Sequence, residues 1–216
     1  LIDAGYAELE VADKFMKDNQ EIYHMKGFGR STGLVEWTFK TRDYYDTYYN
    51  IDKNVPIEFI RDVDEGGYKT KRHIYFDHSN GTAQDLEFKK DSLFKIESSV
   101  QDLFSAFYYA RQIDASELKK GDLIPIDIFL DHEDFAMQLK YLGKEYVKTN
   151  FGKIQCLKFR PMVQDGRVFR DEDSVELWIS DDENKIPIKV KSKIFVGSIK
   201  MELVDYKNLA HKIDFK

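Results

Sequence analysis

The densest set of potential metal ligands in the chain is Asp131-His132-Glu133-Asp134. Carboxylate oxygens and imidazole nitrogens bind divalent cations. These four, however, fall at an expected turn between two strand-like runs, where polar side chains face water and Asp bonds the local backbone. A solvated turn is therefore preferred to a metal site. His73 and His78 are five residues apart, and in one continuous strand an odd separation points them to opposite faces. His24 and His211 stand alone. Cys156 lies in the alternating stretch Lys153–Phe159 with no local partner base, which favours a packing role over nucleophilic catalysis. Asp171-Glu172-Asp173 and Asp181-Asp182-Glu183-Asn184 flank Trp178. Neither has the spacing of a twelve-residue calcium loop, so turn and solubility roles are expected. A carboxyl pair for glycoside hydrolysis stays open, because separation in space is not legible in a sequence. The nucleophile-elbow, phosphate-loop and two-histidine zinc signatures are absent. Gly27-Phe28-Gly29 lacks the third glycine of a dinucleotide loop. Asn80-Gly81-Thr82 has the form of a glycosylation sequon but reads as a hairpin turn.

With so little catalytic signal, composition sets the class. The 216 residues include 16 Phe, 13 Tyr and two Trp, yet 33% are charged and the mean hydropathy is −0.54. That pairing implies elements with rings on one face and charges on the other. It excludes disorder, since such a chain buries enough apolar surface to offset its ordering entropy. The formal net charge of −6, with no Lys/Arg stripe, argues against nucleic acid as a partner. One cysteine excludes an intramolecular disulfide and a thiolate zinc cage. No apolar run reaches the ~18 residues of a transmembrane helix. No cofactor is expected.

The elements that must position any site are strands. Period-two alternation runs from end to end. Ala4–Val11 and Glu21–Gly29 suggest an opening hairpin. Ile57, Phe59 and Val63 share one face of the next clear strand, followed by the turn residues Glu65-Gly66-Gly67. Ile74 and Phe76 lead to Asn80-Gly81, and Leu86 with Phe88 is expected to continue that pattern. A second meander runs through Ile124–Leu130, Met137–Tyr141 and its extension past Gly143, Ile154–Phe159, Val175–Ile179, and Ile186–Val196. It turns at Gly197-Ser198 and returns through Ile199–Leu203. In the run Tyr44, Tyr45, Tyr48, Tyr49 the first and third rings face one way, the second and fourth the other. Such a run suits a sheet, and could also bind an apolar or sugar-like ligand.

One helix interrupts the strands. Val100, Leu103, Phe104, Phe107 and Tyr108 follow helical spacing, with Ser99 and Asp102 as a capping pair and an end near Arg111. A weaker helical turn beginning at Ser31 or Thr32 carries Leu34, Trp37 and Thr38. The expected fold is mainly β (α+β): a long antiparallel meander curled into an open or half-closed barrel around one aromatic amphipathic helix. It forms a single curled-sheet domain over 1–216, with any soft division near 112–122. Phe104, Phe107, Tyr108 and Trp37 are the candidate ligand-binding residues. The ordinary alternative is that the helix face is simply core.

The segment Trp178-Ile179-Ser180-Asp181-Asp182-Glu183-Asn184-Lys185-Ile186-Pro187-Ile188, followed by Lys193–Ile199, resembles the C-terminal signature of the exported bacterial proteins of the DUF3108 family. Ala4–Val11 and Arg42–Tyr48 are similar to that family as well. The resemblance covers nearly the whole chain. It brings no catalytic residues, because the family has no established activity. It implies export to the periplasm or cell envelope, with a signal peptide lost before Leu1. The curled-sheet shape is similar to that of Lol-type lipoprotein carriers, a likeness of fold alone. Three functions follow as expectations. The first is a non-enzymatic envelope protein that binds a lipid-like apolar or amphipathic ligand between sheet and helix. The second is a scaffold that meets another envelope protein. The third is a hydrolase built from two facing carboxyls.

Overall fold

The computed structural model describes residues 4–89, 92–163, 175–193 and 198–216. Asp171-Glu172-Asp173 and the segment Ile194–Gly197 lie outside the described residues. The chain is mainly β, with 61% strand and 6% helix, as the alternation requires. Its contacts divide it into two compact units, one of 1–110 with 127–134 and one of 111–126 with 135–216.

The first unit holds a seven-stranded antiparallel sheet in meander order: β1 (Gly5–Lys17), β2 (Gln20–Ser31), β3 (Thr41–Asn50), β4 (Val55–Glu65), β5 (Tyr68–Asp77), β6 (Thr82–Asp85) and β7 (Leu93–Lys95). Helix α1 (Gly33–Thr38) sits between β2 and β3, and α2 (Ser105–Ala110) follows β7. The turns form where the sequence supplies residues that tolerate positive φ. Asp18 and Asn19 have φ of 52° and 59°, and Gly66 and Gly67 have 59° and 92°. Two consecutive left-handed residues match the right-handed twist of a hairpin.

Cross-strand register defines the two faces. One row runs Val11–Met25–Thr47–Phe59–Ile74–Asp85, the next Leu9–Gly27–Tyr45–Arg61–Arg72, and the next Ala7–Gly29–Asp43–Val63–Thr70. Met25, Thr47, Phe59, Val63 and Ile74 are all buried, so these rows form the inner face. The core over it comprises Met25, Tyr49, Phe59, Ile74, Phe76, Val100, Phe104 and Phe129. The parity expected of the tyrosine run holds: Tyr49 is buried and Tyr45 packs on the core, whereas Tyr44 is exposed.

Two expectations are corrected. The helix does not start near Ser99. Asp102 Oδ1 accepts the N–H groups of Phe104 and Ser105, both at 2.7 Å, so Asp102 caps a helix of six residues. Val100 and Gln101 are extended instead, and Gln101 bridges to Ile128. The long aromatic helix is thus reduced to the six residues of α2, and α1 is the separately expected short helix. Second, β6 ends at Asp85 rather than running through Leu86 and Phe88. The Asp85 carboxylate takes the N–H of Glu87 at 3.0 Å, which turns the chain, and both Leu86 and Phe88 are exposed.

The second unit is built on the other antiparallel meander, a six-stranded sheet ordered β13-β12-β11-β10-β9-β8. Its strands are β8 (Leu123–Leu130), β9 (Glu133–Thr149), β10 (Gly152–Val163), β11 (Val175–Ser180), β12 (Pro187–Lys193) and β13 (Ser198–Glu202). Neither strand order closes on itself, so both sheets are open. A register shift opposite Gly143, whose φ is 104°, lets β9 run on as one 17-residue strand. Cys156, Trp178 and Ile188 form its core with the C-terminal tail, through Ile213, Leu209 and Phe215.

The acidic stretch after β11 organises that tail. Asp182 Oδ1 accepts from the Ser180 hydroxyl and from the N–H groups of Asn184 and Lys185. Asn184, 3% exposed, then makes two bonds to one tail residue: its Nδ2 donates to the His211 carbonyl at 2.9 Å, and its Oδ1 accepts the His211 N–H at 3.0 Å. Asn184→Ala should lower the stability of this unit by about 1–3 kcal/mol, because it leaves buried backbone groups unpaired. The readout is a lower urea midpoint with faster amide exchange over residues 205–216.

Candidate functional site

The inner face of the first unit brings together the groups most able to bind or react. Its central feature is the seat of Phe104. A Cβ built on Gly27 would lie 2.7 Å from the Phe104 ring, so the ring rests on bare backbone. Gly27-Phe28-Gly29 therefore lies within β2 as the flat bed on which a ring packs, the role a glycine inside a strand signals. Phe104 also stacks on Tyr45 at 6.1 Å and meets Tyr108 edge-on at 5.8 Å.

Beyond Phe104, toward β1, the described residues leave the inner face uncovered. Ala7, Leu9 and Val11 on β1 share this face and are exposed, Leu9 by 47% and Val11 by 44%. A Cβ at Gly29 would meet nothing within 4 Å. Glycine floor, β1 side chains and Phe104 thus shape an apolar trough in which part of the strand surface meets solvent. Phe107, 39% exposed, lies on α2, whose first residue follows Phe104.

Of the four residues singled out from sequence, Phe104 is buried, Tyr108 is half-buried against it, and Phe107 is exposed on the same helix. Trp37 is 93% exposed on α1, and among the described residues no ring pair includes it. Leu9, Val11, Gly27 and Gly29 were missed as site residues. The available signal was a Gly-x-Gly inside an otherwise alternating strand.

What fixes α2 to the sheet is Asp102. Its carboxyl is wholly buried and receives the Thr47 hydroxyl at 3.1 Å besides the two helix N–H groups. Burial, partly offset by those hydrogen bonds, pushes its carboxyl up to about 7.

The other end of the inner face is polar. Asp85, with no side-chain exposure, accepts His132 Nε2 at 2.8 Å and pairs with Arg72 at 3.5 Å. Asp131 lies 3.7 Å from Arg61 and 4.0 Å from Arg72. The His132 ring stacks on Phe94 at 4.3 Å and meets Phe88 at 4.4 Å. The turn expected at Asp131–Asp134 is present, with φ of 49° and 73° at its first two residues. His132 is nevertheless not a solvated turn residue: it locks the turn onto Asp85. Among the described residues no three His, Cys, Asp or Glu side chains converge on a metal position. Asp43 and Glu65 form a carboxyl pair; burial and then Glu65 push Asp43 up to about 6.

The remaining candidates are engaged elsewhere. His24 bonds Asp46 at 2.7 Å and stacks on Tyr48. His73 bonds Glu58 at 2.8 Å. His78 lies past the end of β5, with its ring nitrogens facing the Pro56 and Ser98 carbonyls. His211 pairs with Glu183. Cys156 is fully buried, and burial followed by Asp181 pushes its thiol up to about 12, so it carries no thiolate at neutral pH. In the second unit an open depression of about 310 Å³ lies over tail residues 206–213.

Fold and site together define a class: a mainly β protein built on open antiparallel meanders, with an apolar inner face. The family model described as "Protein of unknown function (DUF3108)" matches residues 1–204, and the chain belongs to that family. No curated protein matches it significantly. Among solved structures it is similar to a beta-barrel-like protein of the domain of unknown function DUF1849 from Brucella abortus. The identity is 10%, the TM-score 0.56, and the coverage 88% of this chain and 83% of that one. A DUF1089 family protein from Pseudomonas aeruginosa aligns over 99% and 94% of the two chains at 13% identity, with a TM-score of 0.43. The first likeness supports the barrel-like fold class and nothing finer.

Two outcomes test the site. Gly27→Ala should cost about 1–3 kcal/mol by overpacking against Phe104. Combined with Phe104→Ala, that cost should largely vanish in a double-mutant cycle. Asp102 titrates near 7 in the folded protein and near 3.9 when unfolded. Its stabilising contribution is therefore fully present below about pH 4 and is lost as pH rises through 7, by at most about 4 kcal/mol. Asp102→Asn should gain on the wild type across that window, read as converging or crossing urea midpoints between about pH 4 and about pH 8.

Proposed function

We propose that this protein is a non-enzymatic cell-envelope protein that holds a lipid-like ligand along the trough of β1 and β2, beside α2. The observation that carries the proposal is the open glycine floor at Gly29, beside exposed Ala7 and one inner-face row from Leu9 and the Gly27 seat of Phe104. A strand face of alanine, leucine and valine costs free energy in water at about 25 cal/mol per Å². An acyl chain laid along it removes that cost without asking for directional hydrogen bonds. Phe107 and Tyr108 offer further ring surface from the helix side. The polar end of the same face, with Arg61 and Arg72, suits an amphipathic rather than a purely apolar molecule. Placement in the periplasm or envelope rests on family membership and on the chemistry of such a ligand.

The direct test is a plug. Gly29→Leu fills the trough at a position where an added side chain meets open space, so the variant should fold. It should reduce binding of a fluorescent fatty acid by at least about tenfold, the loss of ~1.4 kcal/mol or more. Leu9→Glu should do the same from the strand side. Unchanged affinity in both variants removes the trough from consideration.

A further inference from the structure

Among the described residues β1 is paired on one side only, with β2. The ladder shows which of its backbone groups point the other way. The Thr32 N–H donates to the Ala4 carbonyl at 2.9 Å, and the Ile51 N–H donates to the Glu21 carbonyl at 3.1 Å. Hydrogen-bonded and non-bonded pairs alternate along an antiparallel ladder. The odd-numbered residues of β2 therefore bond β3, and its even-numbered residues bond Tyr6, Glu8 and Glu10. The N–H and C=O groups of Ala7, Leu9 and Val11 are left facing away from the sheet. An edge of this kind is a template for one sort of partner, another strand.

The two halves of the edge differ. Past the register shift between Val11 and Asp13 come Lys14 and Lys17, and bulges and lysines are devices that keep an edge from pairing. The half Gly5–Val11 has no register shift, proline or lysine. Its inner-face side chains Ala7, Leu9 and Val11 are aliphatic. Its outer-face charges, Glu8 and Glu10, are acidic and exposed, and Asp13 follows them on that face. Among the described residues no ion pair includes any of these three carboxylates. The cations beside them are engaged. Arg30, opposite Tyr6, is held with Arg42 by Glu36 of α1. His24, opposite Asp13, bonds Asp46 at 2.7 Å, and Lys14 turns to Glu21 at 2.6 Å. Lys26, opposite Glu10, has Asp46 across from it on its other side. Along this half of the edge Glu8 and Glu10 thus face Lys26 alone.

A second copy of β1 is disfavoured as the occupant. A two-fold about Leu9 sets Glu8 opposite Glu10, and one about Glu8 or Glu10 sets that residue opposite itself. Like charges directly opposite one another destabilise a strand pair. We propose that Gly5–Val11 takes up an extended segment of another protein, in which aliphatic side chains alternate with lysine or arginine, as an added antiparallel strand. Its aliphatic residues continue the inner face beside Ala7, Leu9 and Val11 and exchange hydrogen bonds with them. Its cations meet Glu8 and Glu10 on the outer face. The same two carboxylates repel a second copy and attract the complementary strand, so they set specificity as well as affinity. The edge uses backbone groups and outer-face carboxylates that the trough does not, and the inference stands whether or not the trough holds a ligand.

The probe is a blocked heptapeptide of alternating lysine and valine, beginning and ending on lysine. It is titrated into the whole protein and followed by amide NMR. It should shift the amides of Ala7, Leu9 and Val11 and slow their exchange. The glutamate–valine counterpart should bind at least about tenfold more weakly. The lysine peptide with N-methylated valines should weaken as much, because it keeps every charge and loses the donors that meet the edge. Glu8→Lys/Glu10→Lys, at two exposed positions, should reverse the order of the two unmethylated peptides. Gly29→Leu should bind the lysine peptide like the wild type, which separates the edge from the trough. No binding, shifts confined to residues outside Gly5–Val11, equal affinity for the N-methylated peptide, or an unreversed order in the double variant each overturn the proposal. So does self-association of the wild type through β1 in sedimentation, which makes a second copy the occupant.

Discussion

The first unit depends on where one buried carboxylate is anchored. Among the described residues Asp102 has no cationic partner; it holds its place through hydrogen bonds from Thr47 and from the N–H groups of Phe104 and Ser105 at the start of α2. Burying a carboxyl this way is costly, and the consequence is that its charge is unstable near neutral pH. The return is positional. Thr47 sits in the middle of the row Met25–Thr47–Phe59–Ile74, so the helix start is pinned over the centre of the sheet. Phe104 follows two residues later and seats on Gly27 beside the Tyr45 ring. Had β2 carried any side chain there, the ring would stand off, and the helix with it.

Most of the strands were legible because their sidedness is written in alternation, and their turns because left-handed backbone needs Asp, Asn or Gly. Leu34, Trp37 and Thr38 do lie on a short helix, which starts at Gly33 rather than at Ser31 or Thr32 because Ser31 still belongs to β2. The longer helix was misread for a definable reason. Val100 and Leu103 do fit helical spacing, but they are held by long-range partners: Gln101 exchanges backbone bonds with Asp127 and Phe129. Spacing cannot report a bridge to a strand almost thirty residues away. The same blindness hid the inner-face charges. Arg61 and Arg72 alternate correctly with Phe59, Val63 and Ile74, and so occupy positions that pattern alone reserves for apolar residues. Only the approach of Asp85, Asp131 and His132 makes them tolerable there.

The abundance of rings in a hydrophilic chain is resolved unevenly. Many close on one another: Phe76 on Phe129, Phe94 on Phe129 and His132, Tyr45 on Phe104. Others lie on the outer face in ladders such as Tyr6–Phe28–Tyr44, where Arg30 over the Tyr6 ring keeps the surface mixed. Trp37 and Tyr68 do neither. A large apolar side chain left in water is unremarkable singly; it becomes informative when a paired charge holds it there, as Glu36 holds α1.

The acidic stretch Ser180–Lys185 is explained without any ligand. Ser180, Asp182 and Asn184 spend their side chains on backbone partners within the turn and on His211, and the Lys185 ammonium donates to the Ile113 carbonyl at 2.5 Å. A sequence signature of this kind marks a way of closing a fold. Family membership identifies the scaffold, and function has to be argued from side chains the scaffold leaves unsatisfied. In the first unit those are the uncovered strip of β1 and the outward side of α1. Both are apolar and both lack a partner within the described residues. Neither is a position that a protein selected only for stability in water would leave as it is.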